Sequence, residues 1–196
     1  MRLRPILVVL MAVGVLCGAA LGVEEVAPDA GPQVSFGLIA DVQYADRDDR
    51  GTRAYRASLG KLEACVADLN SRDLDFTIQL GDFVDRRPES FAQVLPRYDA
   101  LTMPHYHVLG NHDFPLPRDQ VLRTLGMESA YYSFSSGGWR FVVLDTLDIT
   151  IGGGWPEDSD HRRQAKAWIE ELRAAGVSEE ETCTRCGIGA TYREFG

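Results

Sequence analysis

Three apolar runs in this sequence each end in a short polar cluster with metal-binding potential. The clusters are DVQ at 41–43, GDFVD at 81–85 and GNHD at 110–113. Between them they offer two carboxylates, two amide oxygens and one imidazole, from Asp41, Gln43, Asp82, Asn111 and His112. This is a hard, oxygen-rich ligand set that suits divalent cations. Any one cluster is also compatible with an ordinary polar turn, but the three in order favour a metal site.

The elements predicted around the clusters bring them to one edge of a sheet. β-favouring apolar runs predict strands at 34–40, 76–80 and 106–109. Apolar residues at helical spacing predict helices over 55–69 and 91–101, the second kinked or shortened by Pro96. Strand, helix, strand, helix, strand predicts an α/β layered domain with neighbouring parallel strands. The clusters follow the carboxyl ends of those strands, where open α/β sheets bind ligands.

Two further elements are predicted after the third cluster. The β-favouring runs at 131–135 and 139–146 flank a Ser-Gly-Gly sequence, which predicts a hairpin. Apolar positions between 168 and 175 predict one face of a last helix, which Gly176 ends.

Length and charge restrict the function classes. A chain of 196 residues has room for one domain with its own core. Its net charge of −9, without a basic stripe, argues against nucleic acid as a partner. Such a protein can act on phosphates only where a local cation reverses the electrostatic field.

The N-terminal segment has the pattern of an export signal. Arg2 and Arg4 precede an apolar run over 6–23, and Ala20-Leu21-Gly22 is a small-x-small cleavage sequence. Residues 1–22 are therefore predicted to be a signal peptide that sends the protein to the periplasm or the extracellular space. An uncleaved membrane anchor is the alternative, because the run is long enough to span a bilayer. Residues 23–33 are predicted to be a flexible leader.

Three cysteines follow the signal segment, an odd number that does not describe a disulfide framework. Cys65 is predicted to be a small core residue on a helix. Cys183 and Cys186 have the spacing of half a zinc knuckle and lack the other half.

The three clusters together resemble the first three blocks of the calcineurin-like metallophosphoesterases, D-x-[HQ], G-D-x-x-D and G-N-H-[DE]. Most members have His where this chain has Gln43. The sequence IADVQYAD resembles the manganese-dependent ADP-ribose/CDP-alcohol diphosphatases of that family. The likeness runs from Val34 to about Gly176, including the YYSF hairpin and Q-x-x-x-W at 164–168. It implies a layered β-sandwich flanked by helices.

The resemblance also implies a role for each residue of the blocks. Asp41 and Gln43 would bind one metal ion and Asn111 a second, with Asp82 bridging the two. His112 would contact the phosphate, where it would stabilise the transition state or protonate the leaving oxygen. The acids that follow in two of the blocks, Asp85 and Asp113, would orient these ligands.

The same resemblance implies a reaction. A Gln oxygen is a harder and weaker-field ligand than a His nitrogen, which favours Mn²⁺, or else Mg²⁺, over zinc or iron. Two such ions would support hydrolysis of a nucleoside diphosphate linked to a sugar or alcohol, releasing a nucleoside monophosphate. Two alternatives stay open: a phosphomonoesterase or phosphodiesterase on the same scaffold, and a metal-binding fragment without catalytic activity. The sequence predicts no oligomeric state.

The C-terminal part departs from the family pattern. Family members continue into another strand with a metal-binding His and then a Gly-His-x-His block, whereas no His follows His161 here. The domain is therefore predicted to span 34–182 and to be incomplete, with a divergent tail over 183–196. A truncated or frame-shifted reading of a longer gene would produce this pattern, and a genuinely short protein is the alternative.

Overall fold

The computed structural model describes residues 33–177. The predicted signal peptide, nearly all of the leader, the tail and the Cys183–Cys186 pair lie outside the described residues. Within 33–177, no helix combines the length and apolarity needed to cross a membrane.

A three-stranded parallel sheet forms the centre of the fold. Its strands are β1 (Phe36–Ile39), β2 (Phe76–Gln79) and β3 (His105–His107), with β2 in the middle. The predicted parallel arrangement is thereby confirmed. The third strand begins and ends earlier than the predicted 106–109. One more backbone hydrogen bond joins it to β2, from Val108 N to Gln79 O (2.9 Å), and the chain then turns towards Gly110.

Helices cover one face of this sheet. In α1 (Ala57–Asn70) the buried residues are Leu62, Val66 and Leu69, the face that the sequence predicts. The second helix, α2 (Ser90–Tyr98), contains Pro96 and ends two residues after it, shorter than the predicted 91–101. A short helix, α3 (Arg118–Thr124), was not predicted.

The last helix is α4 (Asp160–Ala174), followed by Gly176 at φ 73°. Its buried residue is Ala165, and two of the predicted apolar positions, Ile169 and Leu172, are half-buried, whereas Trp168 is 39% exposed. The period of the apolar positions identifies the helix but not what it packs against.

The opposite face of the sheet packs against the predicted hairpin. It consists of β4 (Tyr132–Ser136) and β5 (Trp139–Val143), and its turn residues Gly137 and Gly138 both have positive φ, 54° and 81°. Positive φ at both central residues is what a two-residue hairpin turn of type I′ requires, and glycine adopts it without strain. Phe76 of β2 packs edge-on against Phe134 and Phe141 of the hairpin, with ring centroids 5.0 and 4.7 Å apart.

A buried polar network lies between the sheet and the helices. Nε2 of Gln79 donates to Val108 O (2.8 Å) and contacts His107 Nδ1 (3.2 Å), while Oε1 accepts the Gly81 N–H (2.7 Å). The two hydrogens of Nε2 are thus used, which makes His107 Nδ1 an acceptor and the imidazole neutral. Through Gly81, the network fixes the turn that carries Asp82.

His107 is expected to make the protein sensitive to acid. Burial, followed by the nearby charge of His105, lowers the pKa of His107 to about 4. In the unfolded chain this imidazole titrates near its ordinary value of about 6.5. Between those two values the unfolded state therefore binds more protons, so the free energy of unfolding should fall by about 3 kcal/mol as the pH drops from about 6.5 to about 4.

Urea unfolding of the wild type and His107→Asn across this pH range tests the expectation. Asn keeps an acceptor for Gln79 and removes the titrating group. All other acids and bases are common to both proteins, so their contributions cancel in the difference. Stability should fall more steeply in the wild type, and parallel curves would show that His107 is not held neutral by burial.

Candidate active site

The chain segments that follow β1 and β2 stay paired beyond the ends of the strands. Asp41 N donates to Gly81 O (3.3 Å), and Gln43 N donates to Asp82 O (2.8 Å). A parallel bridge between Tyr44 and Val84 continues the pairing. These backbone bonds place the first two polar clusters side by side.

The third cluster meets the second through two glycines. Gly81 has φ 99°, a conformation that L side chains rarely adopt. A Cβ on Gly110 would lie 2.2 Å from both Asp82 N and Asp82 Oδ1, so this position has no room for a side chain. The two turns can approach this closely only because both residues are glycine.

Asp82 lies at the centre of the site. Its Oδ1 accepts the backbone N–H of His112 (2.9 Å), and its Oδ2 accepts a hydrogen from Gln43 Nε2 (3.1 Å). This orientation of the Gln43 amide leaves its oxygen as the atom that can bind a cation. Asp82 thus connects the first and third clusters through its two oxygens.

The backbone is strained at these positions. Among the described residues, four non-glycine residues have positive φ: Asp41 at 54°, Gln43 at 43°, Asp82 at 52° and Arg86 at 61°. A left-handed conformation costs an L-residue about 1–2 kcal/mol, less for Asp than for Gln or Arg. Strain of this kind persists where the surrounding structure enforces it, and it concentrates at functional sites. Three of the four are residues that the sequence predicts as metal ligands.

Two buried acids hold the turns and the imidazole. Asp113 accepts backbone N–H groups from Gly110 (2.9 Å), Phe83 (2.6 Å) and Val84 (3.1 Å), so it ties the third cluster to the second. Oδ1 of Asp85 lies 3.1 Å from Nδ1 of His112. Of the two, Asp85 is therefore the acid that contacts a predicted site side chain, whereas Asp113 contacts backbone.

The charges of the site influence one another. Partial burial and then the nearby charge of Asp82 raise the pKa of Asp41 above its ordinary value. The hydrogen bond to Asp85 raises the pKa of His112, although burial opposes it. Burial alone would raise the pKa of Asp85, but the hydrogen bond and charge of His112 outweigh it and hold this pKa below the ordinary value. Asp41 and Asp82 are two carboxylates that repel each other, and a cation bound between them would stabilise both.

The side chains present fit a divalent cation by their chemistry. Among residues 33–177, no group of three or more His, Cys, Asp and Glu side chains is arranged to hold a metal ion. The set instead combines the carboxylates of Asp41 and Asp82 with the amides of Gln43 and Asn111. Neutral amide and carboxylate oxygens are ligands that Mn²⁺ and Mg²⁺ accept.

The structure therefore brings the three strand-end clusters together, and two cavities lie beside them. One, of about 450 Å³, is lined by Asp41 and Gln43 and also by the cations Arg53 and Lys61. A larger one, of about 610 Å³, has four arginines in its wall and was not predicted. The sequence feature that could have indicated this cavity is the Arg-Arg pair directly after Asp85.

Comparison with known proteins agrees with this geometry. Residues 34–182 match the calcineurin-like phosphoesterase family. The chain is 36% identical to a protein of Oryza sativa subsp. japonica named manganese-dependent ADP-ribose/CDP-alcohol diphosphatase, over 71% of this chain and 49% of that protein. A protein of the same name from Arabidopsis thaliana is 37% identical, over 71% and 50%.

A solved structure has the same fold. The crystal structure of a dimetal phosphatase from Danio rerio aligns with a TM-score of 0.63 and 28% identity, over 71% of this chain and 52% of that one. The chain spans about half the length of the curated relatives it matches. The family match covers most of the chain, and the strand-end clusters lie within it. The chain belongs to the calcineurin-like phosphoesterase family.

Proposed function

We propose that this site hydrolyses the phosphoanhydride of a nucleoside diphosphate linked to a sugar or an alcohol, releasing a nucleoside monophosphate. The observation that carries the proposal is the position of Asp82, bonded through one oxygen to the His112 backbone and through the other to Gln43. Three separate strand ends thereby converge on one carboxylate, the arrangement that a metal-dependent phosphoesterase needs.

The predicted ligand residues form two groups, one for each cation, with Asp82 in both. Asp41 and Gln43 would hold one divalent cation, Asn111 would contribute to a second, and Asp82 would contact both. When bound, two such ions supply Lewis acidity and offset the negative charge of a diphosphate. The absence of imidazole from the set Asp41, Gln43, Asp82 and Asn111 favours Mn²⁺ or Mg²⁺.

His112 is placed to move a proton. Its Nδ1 contacts Asp85, so the other ring nitrogen, Nε2, is the atom that can face a phosphate or a leaving oxygen. Asp85 raises the pKa of His112 and so favours the imidazolium, which can donate from Nε2. We assign His112 the role of general acid and Asp85 the role of orienting it.

The relatives indicate the substrate class. Those at 36% and 37% identity are named for ADP-ribose and CDP-alcohol substrates and for manganese. Both substrates are nucleoside diphosphates with a second group on the outer phosphate. The proposal transfers this class, with Mn²⁺ as the metal, to the present chain.

A substrate panel tests the proposal. The full chain, supplied with Mn²⁺, would be incubated with ADP-ribose, a CDP-alcohol, a phosphomonoester and a single-phosphate diester, and products separated by chromatography. We expect AMP from ADP-ribose and CMP from the CDP-alcohol, with rates that require Mn²⁺ and vanish with a chelator.

Two other outcomes would contradict it. Turnover of the phosphomonoester or diester without turnover of either diphosphate would indicate another phosphoesterase activity. A thermal midpoint that rises with Mn²⁺, without hydrolysis of any substrate, would indicate a metal-binding chain that lacks catalytic activity.

A further inference from the structure

The segment at 145–155, which follows β5, lies outside the predicted site but begins beside it. Val143, the last residue of β5, lies opposite Tyr132 in the hairpin. The Tyr132 hydroxyl donates to the backbone oxygen of His107 (2.7 Å), at the carboxyl end of β3. The segment, which we call the 145–155 loop, therefore leaves the hairpin at the end of the sheet where the strand-end clusters lie.

The loop packs against the turn that carries two of the predicted site residues. Phe114 directly follows this short helical turn, Asn111–Asp113. A Cβ on Gly154 of the loop would lie 2.3 Å from Cδ1 of Phe114, so the loop backbone and the phenyl ring are in direct contact. The position of the loop can therefore influence the position of the turn.

Arg118, the first residue of α3, holds the loop in this place. Its side chain is 5% exposed and pairs with Asp145 through Nη2. Nη1 donates to Gly153 O (2.8 Å), and the backbone N–H of Arg118 donates to Gly154 O (3.0 Å). A buried charge costs free energy unless it is paired and hydrogen-bonded, and here the loop supplies the partners.

The same guanidinium also contacts the residue that follows the turn. It lies over the ring of Phe114, 5.4 Å from the centroid, and over the ring of Trp155, 4.6 Å from the centroid. A planar guanidinium can donate hydrogen bonds at its edges while it stacks on aromatic rings, a combination that lysine lacks. Arg118 thus joins the loop and Phe114 in one cluster.

Bonds within the loop make it a compact unit. The Asp145 carboxylate accepts the Leu147 N–H at Oδ1 (3.1 Å), while Oδ2 pairs with Arg118. The Trp155 indole donates to Asp148 O (2.6 Å). Loss of the Arg118 side chain would therefore release the loop as a whole instead of loosening one residue of it.

We propose that Arg118 is a positioning residue for the turn at 111–113. By holding the loop against Phe114, it fixes the predicted site residues of that turn relative to Asp82. This inference rests on the function proposed above and adds a residue that acts through the turn. The His112 N–H donates to Asp82 Oδ1 (2.9 Å), so the turn is held at its second residue by this bond and just after its last residue by the loop. A displacement of about 1 Å at a reacting group can lower a rate about 100-fold.

Hydrogen exchange of the full chain, without metal or substrate, tests the inference. The measured quantity is the exchange rate of the His112 amide divided by that of the Ile78 amide in the central strand. Arg118→Met should raise this ratio about tenfold or more, the effect of losing about one hydrogen bond near the turn. Val66→Ala is the matched control, since it removes methyl groups from a buried position in α1. Destabilisation of the whole protein speeds exchange of the reference amide at least as much, so the control should not raise the ratio.

Phe114→Leu provides the test if Arg118→Met does not fold. It keeps Arg118 and removes the ring that the loop contacts, so it should raise the same ratio. A ratio at the wild-type value in the Phe114 variant, or an equal change in Arg118→Met and Val66→Ala, would overturn the inference.

A second measurement separates this inference from the proposed function. In Mn²⁺, Arg118→Met should lower kcat/KM for ADP-ribose by about 10- to 100-fold, and Val66→Ala should match the wild type. If no protein, wild type included, hydrolyses ADP-ribose, the proposed function fails while the exchange ratio still decides the role of Arg118. Full activity in Arg118→Met would overturn that role.

Discussion

Replacing Asp82 with Asn is expected to lower kcat/KM for Mn²⁺-dependent hydrolysis of ADP-ribose by about 1000-fold or more, or about 4 kcal/mol of transition-state stabilisation. The Asp82 oxygens accept hydrogen bonds from the His112 N–H and the Gln43 amide. Asn has the same shape but replaces one oxygen with an NH₂ group, so one of these donors would face another donor. The negative charge at the centre of the site would also be lost.

Two readouts check this expectation. Steady-state rates over a Mn²⁺ titration measure activity, and the thermal midpoint with and without Mn²⁺ measures binding to the folded protein. Asp73→Asn is the matched control, because Asp73 is an exposed acid outside the site. If the Asp82 variant kept turnover within a few-fold of the wild type, Asp82 could not be the central ligand.

The strand-end clusters were predictable because they depend on local sequence. An apolar run that stops at a polar residue marks the end of a strand, and parallel strands bring their carboxyl ends to one edge. Asp41, Asp82 and His112 lie together in the structure for this reason. Asp82 also bonds to the other two clusters, through the His112 N–H and the Gln43 amide. These bonds depend on side-chain geometry, which a pattern of apolar positions does not contain.

The polar network beneath the site was not predictable in the same way. Thr77 and Gln79 interrupt an apolar run, and strand alternation assigns both to one face. Whether such a face is buried depends on distant partners. Here the Gln79 N–H donates to the Tyr98 hydroxyl (3.0 Å), and Gln79 Nε2 contacts His107. A buried Gln needs such partners, and they come from α2 and β3.

The larger cavity beside the site, of about 610 Å³, could not be predicted for a different reason. Its arginines come from two loops, at 47–50 and 86–87, that lie far apart along the chain. They meet because the segments after β1 and β2 stay paired through the bridge between Tyr44 and Val84. Pairing beyond the predicted strand ends depends on left-handed conformations at Asp41, Gln43 and Asp82, which hydrophobic patterns do not encode.

The close approach of the turns predicts a large effect for a single methyl group. In Gly110→Ala, the added Cβ would lie 2.2 Å from both the backbone nitrogen and the Oδ1 of Asp82. The φ of Gly110 is −106°, which any residue can adopt, so the effect would come from the collision alone. Relief requires movement of Asp82 or of the turn at 110–113. We expect a loss of about 3 kcal/mol in the free energy of unfolding, together with loss of Mn²⁺ binding.

Gly60→Ala provides the matched comparison, since it adds the same methyl group where nothing lies within 4 Å. Gly60 lies inside α1, where Ala favours the helix by about 0.5–1 kcal/mol. Urea unfolding should therefore move in opposite directions for the two variants, and Mn²⁺ should stabilise only Gly60→Ala. If Gly110→Ala were as stable as the wild type and bound Mn²⁺ equally well, the two turns could not be in contact. The convergence of three strand ends on Asp82 would then be wrong, and the proposed metal site would lose its geometric basis.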